Sequence, residues 1–360
     1  MESSKMMDPT RESAPLPFIT PDLPGLGGEI KSEPGHFVVE ELPLYEPGGQ
    51  GDHLYVRLTR EGWTTRRLTR ALAELFGLRE VDVGCAGQKD KQARATQTVS
   101  LLLPGLDEKE AAARIEAALP VEVLSARRHG NKLRTGHLLG NRFTVLVVRP
   151  SDDALGRAEA VHAALAERGL PNYYGLQRFG VDGDNAGRGR EALVKGGPRQ
   201  RWLRRFLLSA FQSRLFNAWL AERIQRDWFG RLLDGDLAKK TDTGGLFLVE
   251  DAGVEAPRFE AGAITYTGPI YGTKMRWPDG LPGELERAIL EAEGVTRDML
   301  ARARLEGSRR AARIQPDGLR VSPDPQGLLF EFSLPKGAYA TTVLREFMKV
   351  EPALPEDDDG

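Results

Sequence analysis

Residues 84–97, GCAGQKDKQARATQ, place one carboxylate, Asp90, between two amines, Lys89 and Lys91. Gly84 and Gly87 precede it, and the β-prone run TQTVSLLL at 96–103 follows, so the segment reads as a glycine loop feeding a strand. Cations beside a carboxyl favour its charged form. The same amines can meet phosphate oxygens, and an ionised carboxylate on a phosphate-binding surface is a nucleophile suited to covalent chemistry on a nucleic acid. Gly-x-Lys-Asp-Lys is equally a hairpin turn, with glycine supplying positive φ and Asp bonding its own backbone.

Outward from this loop the pattern alternates between strand and helix. VDVGCAG leads into it, TTRRLTRALAELFGL at 64–78 reads as a helix, and KSEPGHFVVEE at 31–41 and HLYVRLTR at 53–60 read as strands. In the helix, Thr64 or Thr65 supplies the cap, Leu68, Leu72, Leu75 and Phe76 form one face, and Gly77 fits the left-handed position past the end. Downstream, LDEKEAAARIEAAL at 106–119 is a helix stopped by Pro120, VEVLSARR at 121–128 and RFTVLVVR at 142–149 alternate as strands, and 152–170 is a helix capped by Asp152 or Asp153 and closed by Gly169. This mixture predicts an α+β fold.

After Pro171 the texture changes to PNYYGLQRFGVDGDNAGRGR, rich in glycine, aromatics and arginine. A long helix follows at about 199–227, along which Arg201, Arg205, Ser209, Ser213 and Asn217 recur every four residues as a polar stripe facing RNA or solvent. Another helix is predicted over 283–305, then a strand, GLLFEFSLP at 327–335, and a short helix at 340–348. The last two elements continue a sheet begun earlier, so the reading is a mobile N-terminus (1–25), a discontinuous first domain (26–170 plus 311–350), an inserted domain (171–310) and an acidic disordered tail (351–360).

The chain of 360 residues has a net charge of −2, but its last ten residues hold five acids and the remainder carries +3. Residues 123–149 hold Arg127, Arg128, Lys132, Arg134, Arg142 and Arg149 with no Asp or Glu, and 186–205 hold seven Lys/Arg against one Glu. Such blocks are the footprint of a polyanion partner, although many charge runs are solvated faces. Cys85 is the one cysteine, which excludes an internal disulfide and fits a reducing compartment. No run of about 18 apolar residues exists to span a membrane, and residues near Met1 form no apolar core of a secretion signal. A soluble cytoplasmic monomer is expected.

Several familiar motifs fail on inspection. GRGREA from Gly187 imitates a dinucleotide fingerprint but follows no apolar strand. DGDNAG at 182–187 imitates a calcium loop, yet Ala186 and Leu193 stand where oxygen ligands are needed. Neither the five histidines nor the cysteine show metal-ligand spacing, and no phosphate-binding Lys loop or Gly-x-Ser-x-Gly elbow is present.

Four separated segments together resemble the TruD family of tRNA pseudouridine synthases: KSEPGHFVVEE at 31–41, AGQKDKQARATQ at 86–97, PNYYGLQRFG at 171–180 and SLPKGAYATTVLREF at 333–347. LLGNRF at 138–143 and LSAFQSRLFNAWL at 208–220 are similar to further patterns of that family. The resemblance implies a pseudouridine-synthase-like mixed sheet interrupted by an inserted α/β TRUD domain, no metal or organic cofactor, and tRNA as partner. By the same resemblance Asp90 is the nucleophile in isomerisation of uridine 13 of tRNA, Phe37 and Tyr339 stand at aromatic positions beside the flipped base, and Asn141 stands at a binding position. The family pattern has Phe where this chain has Tyr339 and Tyr174.

Read from the residues alone, Phe37 and Tyr339 fit core packing and Asn141 fits a turn. Tyr173, Tyr174 and Phe179 fit a seal between domains better than a base contact. Lys89 and Lys91 are expected to contact substrate, and Arg127, Arg128, Lys132, Arg134, Arg142, Arg178, Arg201 and Arg205 are candidates for the RNA backbone. The competing readings are the same chemistry on another RNA, a non-catalytic RNA-binding protein on the same scaffold, and an unrelated metabolic enzyme with a basic surface.

Overall fold

A computed structural model describes residues 15–30, 33–180 and 182–350. In chain order the first part runs β1 (Phe37–Pro43), β2 (His53–Arg60), α1 (Thr65–Phe76), β3 (Val83–Cys85), β4 (Arg94–Leu102), α2 (Glu108–Ala118), β5 (Val121–His129), β6 (Leu138–Val148), α3 (Ala154–Arg168) and β7 (Leu170–Pro171). Next come α4 (Asn185–Val194), α5 (Arg201–Gln225), β8 (Leu237–Lys240), β9 (Leu246–Leu248), α6 (Ala252–Glu260), β10 (Ile264–Ile270), α7 (Gly280–Ala292), α8 (Arg297–Arg302) and β11 (Ser308–Ala311). The chain then returns through β12 (Arg313–Ile314), β13 (Asp317–Asp324), β14 (Gly327–Pro335) and α9 (Ala340–Met348).

The ends of α1 and α2 are written in the sequence. Thr64 accepts the Arg67 N–H and Gly77 takes φ 62° past the last turn of α1, while Asp107 accepts the N–H groups of Lys109 and Glu110 to start α2. The fold is α+β with mixed sheets, as the alternating pattern predicts. Its main sheet has eight strands, ordered β13-β14-β6-β1-β4-β2-β5 with β3 also on β4. β14 pairs antiparallel with β6 from Gly327↔Val148 to Pro335↔Gly140, so residues far apart in the chain share one sheet.

One local irregularity positions everything that follows. β2 lines one edge of β4 throughout, from His53↔Leu102 to Arg60↔Ala95. The other edge is divided: β1 runs parallel to it at Arg94–Thr96, and β3 runs antiparallel to it at Val99–Leu101. The loop from Cys85 to Arg94, which holds Asp90, crosses this junction. Glu41 lies on the same inward face of β1 as Phe37 and Val39. Its carboxylate accepts the Thr98 N–H, the backbone donor lying between the β1 and β3 contacts, at 3.2 Å.

Two cores cover the sheet. Phe37, Val39, Phe143, Phe330, Phe332, Val343 and Phe347 pack with α3 and α9, and Leu54, Val56, Leu68, Leu72, Val99, Ala111 and Ile115 pack with α1 and α2. A further core, around Phe211, Phe216, Trp219, Tyr266, Tyr271 and Ile289, belongs to the four-stranded sheet β11-β10-β8-β9 and its helices.

At three places the structure differs from the sequence reading or adds to it. Residues 15–25 are described and strapped down rather than mobile. Glu346 accepts the Ile19 N–H at 2.9 Å and the Thr20 hydroxyl at 3.0 Å, and the Arg345 guanidinium lies 3.9 Å from the Phe18 ring centroid. The glycine-rich stretch dismissed as a false fingerprint forms α4. Its Gly189 fits there because a Cβ would lie 2.1 Å from the Leu207 carbonyl oxygen, so glycine lets α4 and α5 touch backbone to backbone. The helix predicted over 283–305 is two helices, α7 and α8, parted at Gly294 with φ 65°. Residues 1–14, Lys31 and Ser32 of the first family-like segment, and the acidic tail at 351–360 lie outside the described residues.

Candidate active site

A cleft of about 680 Å³ opens over the junction on β4. Phe37, Lys89, Asp90, Lys91, Asn141 and Tyr339 all line it, together with Gln177 and Lys336. The six substrate-site candidates come from four separate stretches of chain, and the folded sheet brings every one of them to the same wall. Asp90 is half-buried. Its Oδ1 accepts the Gln92 N–H at 3.2 Å, the short-range Asx bond expected of a turn. Its Oδ2 accepts a hydrogen bond from Gln177 Nε2 at 2.9 Å.

The lysines do not both face the nucleophile. Lys89 Nζ turns inward to Glu41 Oε2 at 2.6 Å, and the two side chains are 3% and 2% exposed. A carboxylate on the core face of a strand requires such a partner, so the amine expected at substrate or phosphate anchors the loop instead. Lys91 stays in the cleft wall.

The cation that organises the Asp90 loop is one the sequence reading missed. Arg60, 1% exposed at the end of β2, donates to the carbonyls of Lys89 at 3.0 Å and Asp90 at 3.2 Å, and also to the Trp63 carbonyl. Thr65, at the start of α1, accepts the Lys89 N–H at 2.9 Å and donates to Gln97 Oε1 at 3.1 Å. Burial pulls the Arg60 guanidinium down to about 10, while the Asp90 charge opposes that shift. The available signal was a charged residue ending an otherwise apolar alternation in HLYVRLTR.

Phe37 is both core and cleft: it is 4% exposed, stands edge-on to Phe143 with centroids 6.1 Å apart, and borders the cavity. Asn141 presents a buried amide oxygen that accepts no hydrogen bond among the described residues. Tyr339 meets Tyr174 edge to face at 6.0 Å, and Arg310 lies 4.0 Å from the Tyr174 centroid and 5.4 Å from that of Phe216. Burial pushes the Tyr339 phenol up, and the charges of Arg178 and Arg310 partly offset it. Tyr173 is 3% exposed within the core around Phe216 and Trp219.

The arginine candidates divide by what they touch. Arg127, Arg134, Arg142, Arg201 and Arg205 are exposed, with Arg142 3.5 Å from Glu40. The guanidinium of Arg128 is committed to the carbonyls of Leu103 and Leu106. Lys132 donates to the Val81 carbonyl. Arg178 donates to Ser213 Oγ at 3.1 Å and Ser209 Oγ at 2.5 Å. The stripe on α5 therefore splits: its Arg end faces outward, and its Ser–Asn end holds the 172–180 loop.

Among the described residues no three His, Cys, Asp or Glu side chains converge as metal ligands, and no helix is long and apolar enough to cross a membrane.

The α+β fold with its mixed sheet agrees with the family that the sequence segments resemble. The profile of tRNA pseudouridine synthase D (TruD) matches residues 17–200 and 198–347. The tRNA pseudouridine synthase D of Anaeromyxobacter dehalogenans is 48% identical over 354 residues, covering 96% of this chain and 99% of the relative. That of Thermus thermophilus is 46% identical, covering 96% and 97%. The crystal structure of the Methanosarcina mazei TruD protein superposes with a TM-score of 0.72 at 24% identity, covering 93% and 96% of the two chains, a likeness of fold. The chain belongs to the TruD family.

Proposed function

We propose that the protein isomerises uridine 13 of tRNA to pseudouridine, with Asp90 as the nucleophile. The relatives' names support tRNA as the substrate class. The observation that carries the reading is the convergence of Asp90, Phe37, Asn141 and Tyr339 in one cleft of about 680 Å³, within the range of sites that enclose a small ligand. Uridine and pseudouridine are isomers. The N1 glycosidic bond breaks, the base turns, a C5–C1′ bond forms, C5 gives up its proton and N1 takes one up, so the balance requires neither oxidant nor reductant. A carboxylate suits the work because it can attack and later depart.

The target base must leave its stack, at a cost of about a few kcal/mol. A ring stacked on the extruded base returns about 1–3 kcal/mol, and Phe37 and Tyr339 are the rings at hand. The unfilled acceptor of Asn141 complements a uracil N3–H. Phosphate contacts fall to the exposed Arg127, Arg134, Arg142, Arg201 and Arg205. We read residues 171–310 as an inserted domain, a reading supported by the separate sheet and core formed there.

The test is a nucleotide-resolution map of pseudouridine in an unmodified tRNA transcript after incubation with the protein. Pseudouridine at position 13 alone is the expected product. A transcript left unchanged, or one modified elsewhere, overturns the assignment.

A further inference from the structure

A hydrogen bond joins the candidate nucleophile to a part of the chain outside its own sheet. Gln177 Nε2 reaches Asp90 Oδ2 at 2.9 Å. Gln177 is exposed and sits in a single 3₁₀ turn, Leu176–Arg178. A surface glutamine is ordinarily free to sample several rotamers. This one is placed by its neighbours. Arg178 is fixed on Ser209 and Ser213. The Tyr174 N–H and C=O are both taken by the Asn217 amide, at 2.8 and 2.9 Å. Ser209, Ser213 and Asn217 form one stripe of α5, so the helix carries the turn and the turn carries the amide to Asp90.

We infer that Gln177 is a positioning residue for the isomerisation, holding the Asp90 carboxylate in the orientation from which it attacks. The inference rests on the proposed role of Asp90. With Oδ2 held by Gln177 and Oδ1 by the Gln92 N–H, rotation about the Asp90 side chain is restricted from both sides. A donor to an ionised acceptor is stronger than a neutral pair. The bond to substrate removes the carboxylate charge and its departure restores it, so the amide favours departure after the base has turned. The arrangement makes α5, a helix of the core around Phe216 and Trp219, a determinant of where the nucleophile on the eight-stranded sheet points.

The experiment compares Gln177→Ala and Gln177→Glu with the wild type in steady-state isomerisation of tRNA, tRNA binding and thermal melting. Loss of one charge-assisted bond is expected to lower kcat about 10- to 100-fold in Gln177→Ala, with KM and melting temperature nearly unchanged. Gln177→Glu sets two carboxylates side by side. At pH 8 they repel, and at pH 5.5 a shared proton lets the Glu hydroxyl donate as the amide did. Its activity relative to Gln177→Ala is therefore expected to rise as pH falls. A kcat for Gln177→Ala within twofold of an active wild type, or identical pH profiles for the two variants, overturns the positioning role alone. A wild type that does not isomerise tRNA overturns the role together with the reading on which it rests.

Discussion

Removing the Glu41 carboxylate should cost more stability than removing both charges of its pair. Glu41 and Lys89 are nearly sealed from solvent and 2.6 Å apart, and Glu41 also accepts the Thr98 N–H. Glu41→Leu leaves an ammonium buried without its counter-charge, which costs about 3–5 kcal/mol. The orphaned Thr98 donor adds about 1 kcal/mol. Glu41→Leu combined with Lys89→Met removes both charges at similar volume and leaves only the Thr98 donor unpaired, so about 1–2 kcal/mol should be lost. Urea unfolding of the wild type, both single variants and the double variant closes a double-mutant cycle. Coincidence of far-ultraviolet dichroism and fluorescence checks that the separate cores unfold together. A Glu41→Leu loss below about 1 kcal/mol, or a double variant as unstable as the two singles added, would refute the argument that this pair anchors the loop.

Three other outcomes follow from particular contacts. Arg60→Met should leave the Lys89, Asp90 and Trp63 carbonyls without their donor, costing about 3 kcal/mol in urea unfolding; an undisturbed midpoint would show that the loop does not depend on it. Gly189→Ala should push α4 off α5 because its Cβ would meet the Leu207 carbonyl, lowering stability by about 1–3 kcal/mol, and a neutral effect in a thermal melt would contradict that contact. Burial pushes the Cys85 thiol up, with Glu41 adding to the shift. Less thiolate should therefore be present at pH 8 than in free cysteine, and a disulfide reagent should react slowly there and faster as pH rises; reaction at the rate of a free thiol would count against it.

The sequence carried the elements that depend on local chemistry. Thr64 and Gly77 bound α1 because a cap and a left-handed glycine are local devices, and the alternation in GLLFEFSLP is a strand's own period. The cleft residues Phe37, Asp90, Asn141 and Tyr339 were reached through resemblance, since no spacing in the chain announces that four distant segments meet. The partner of Lys89 was illegible because Glu41 lies on another strand and looks like an ordinary solvent-facing acid in FVVEELP. α4 was hidden by its glycines, whose purpose is visible only once α5 lies across them. The α5 stripe was recognised but assigned outward, because a Ser–Asn face reads the same whether it meets water or a loop. Arg60 and Gln177 act through backbone and side-chain contacts to Asp90, and pattern alone gives such residues no distinguishing mark.

The most direct test of the account is single-turnover release of tritium from tRNA labelled at uridine C5, comparing the wild type with Asp90→Asn at saturating enzyme. Asn keeps the size and the backbone turn but cannot act as the carboxylate nucleophile. Tritium release by the wild type is expected, with none above background by Asp90→Asn and with tRNA affinity and thermal stability retained. Release by Asp90→Asn at a rate near that of the wild type would contradict it.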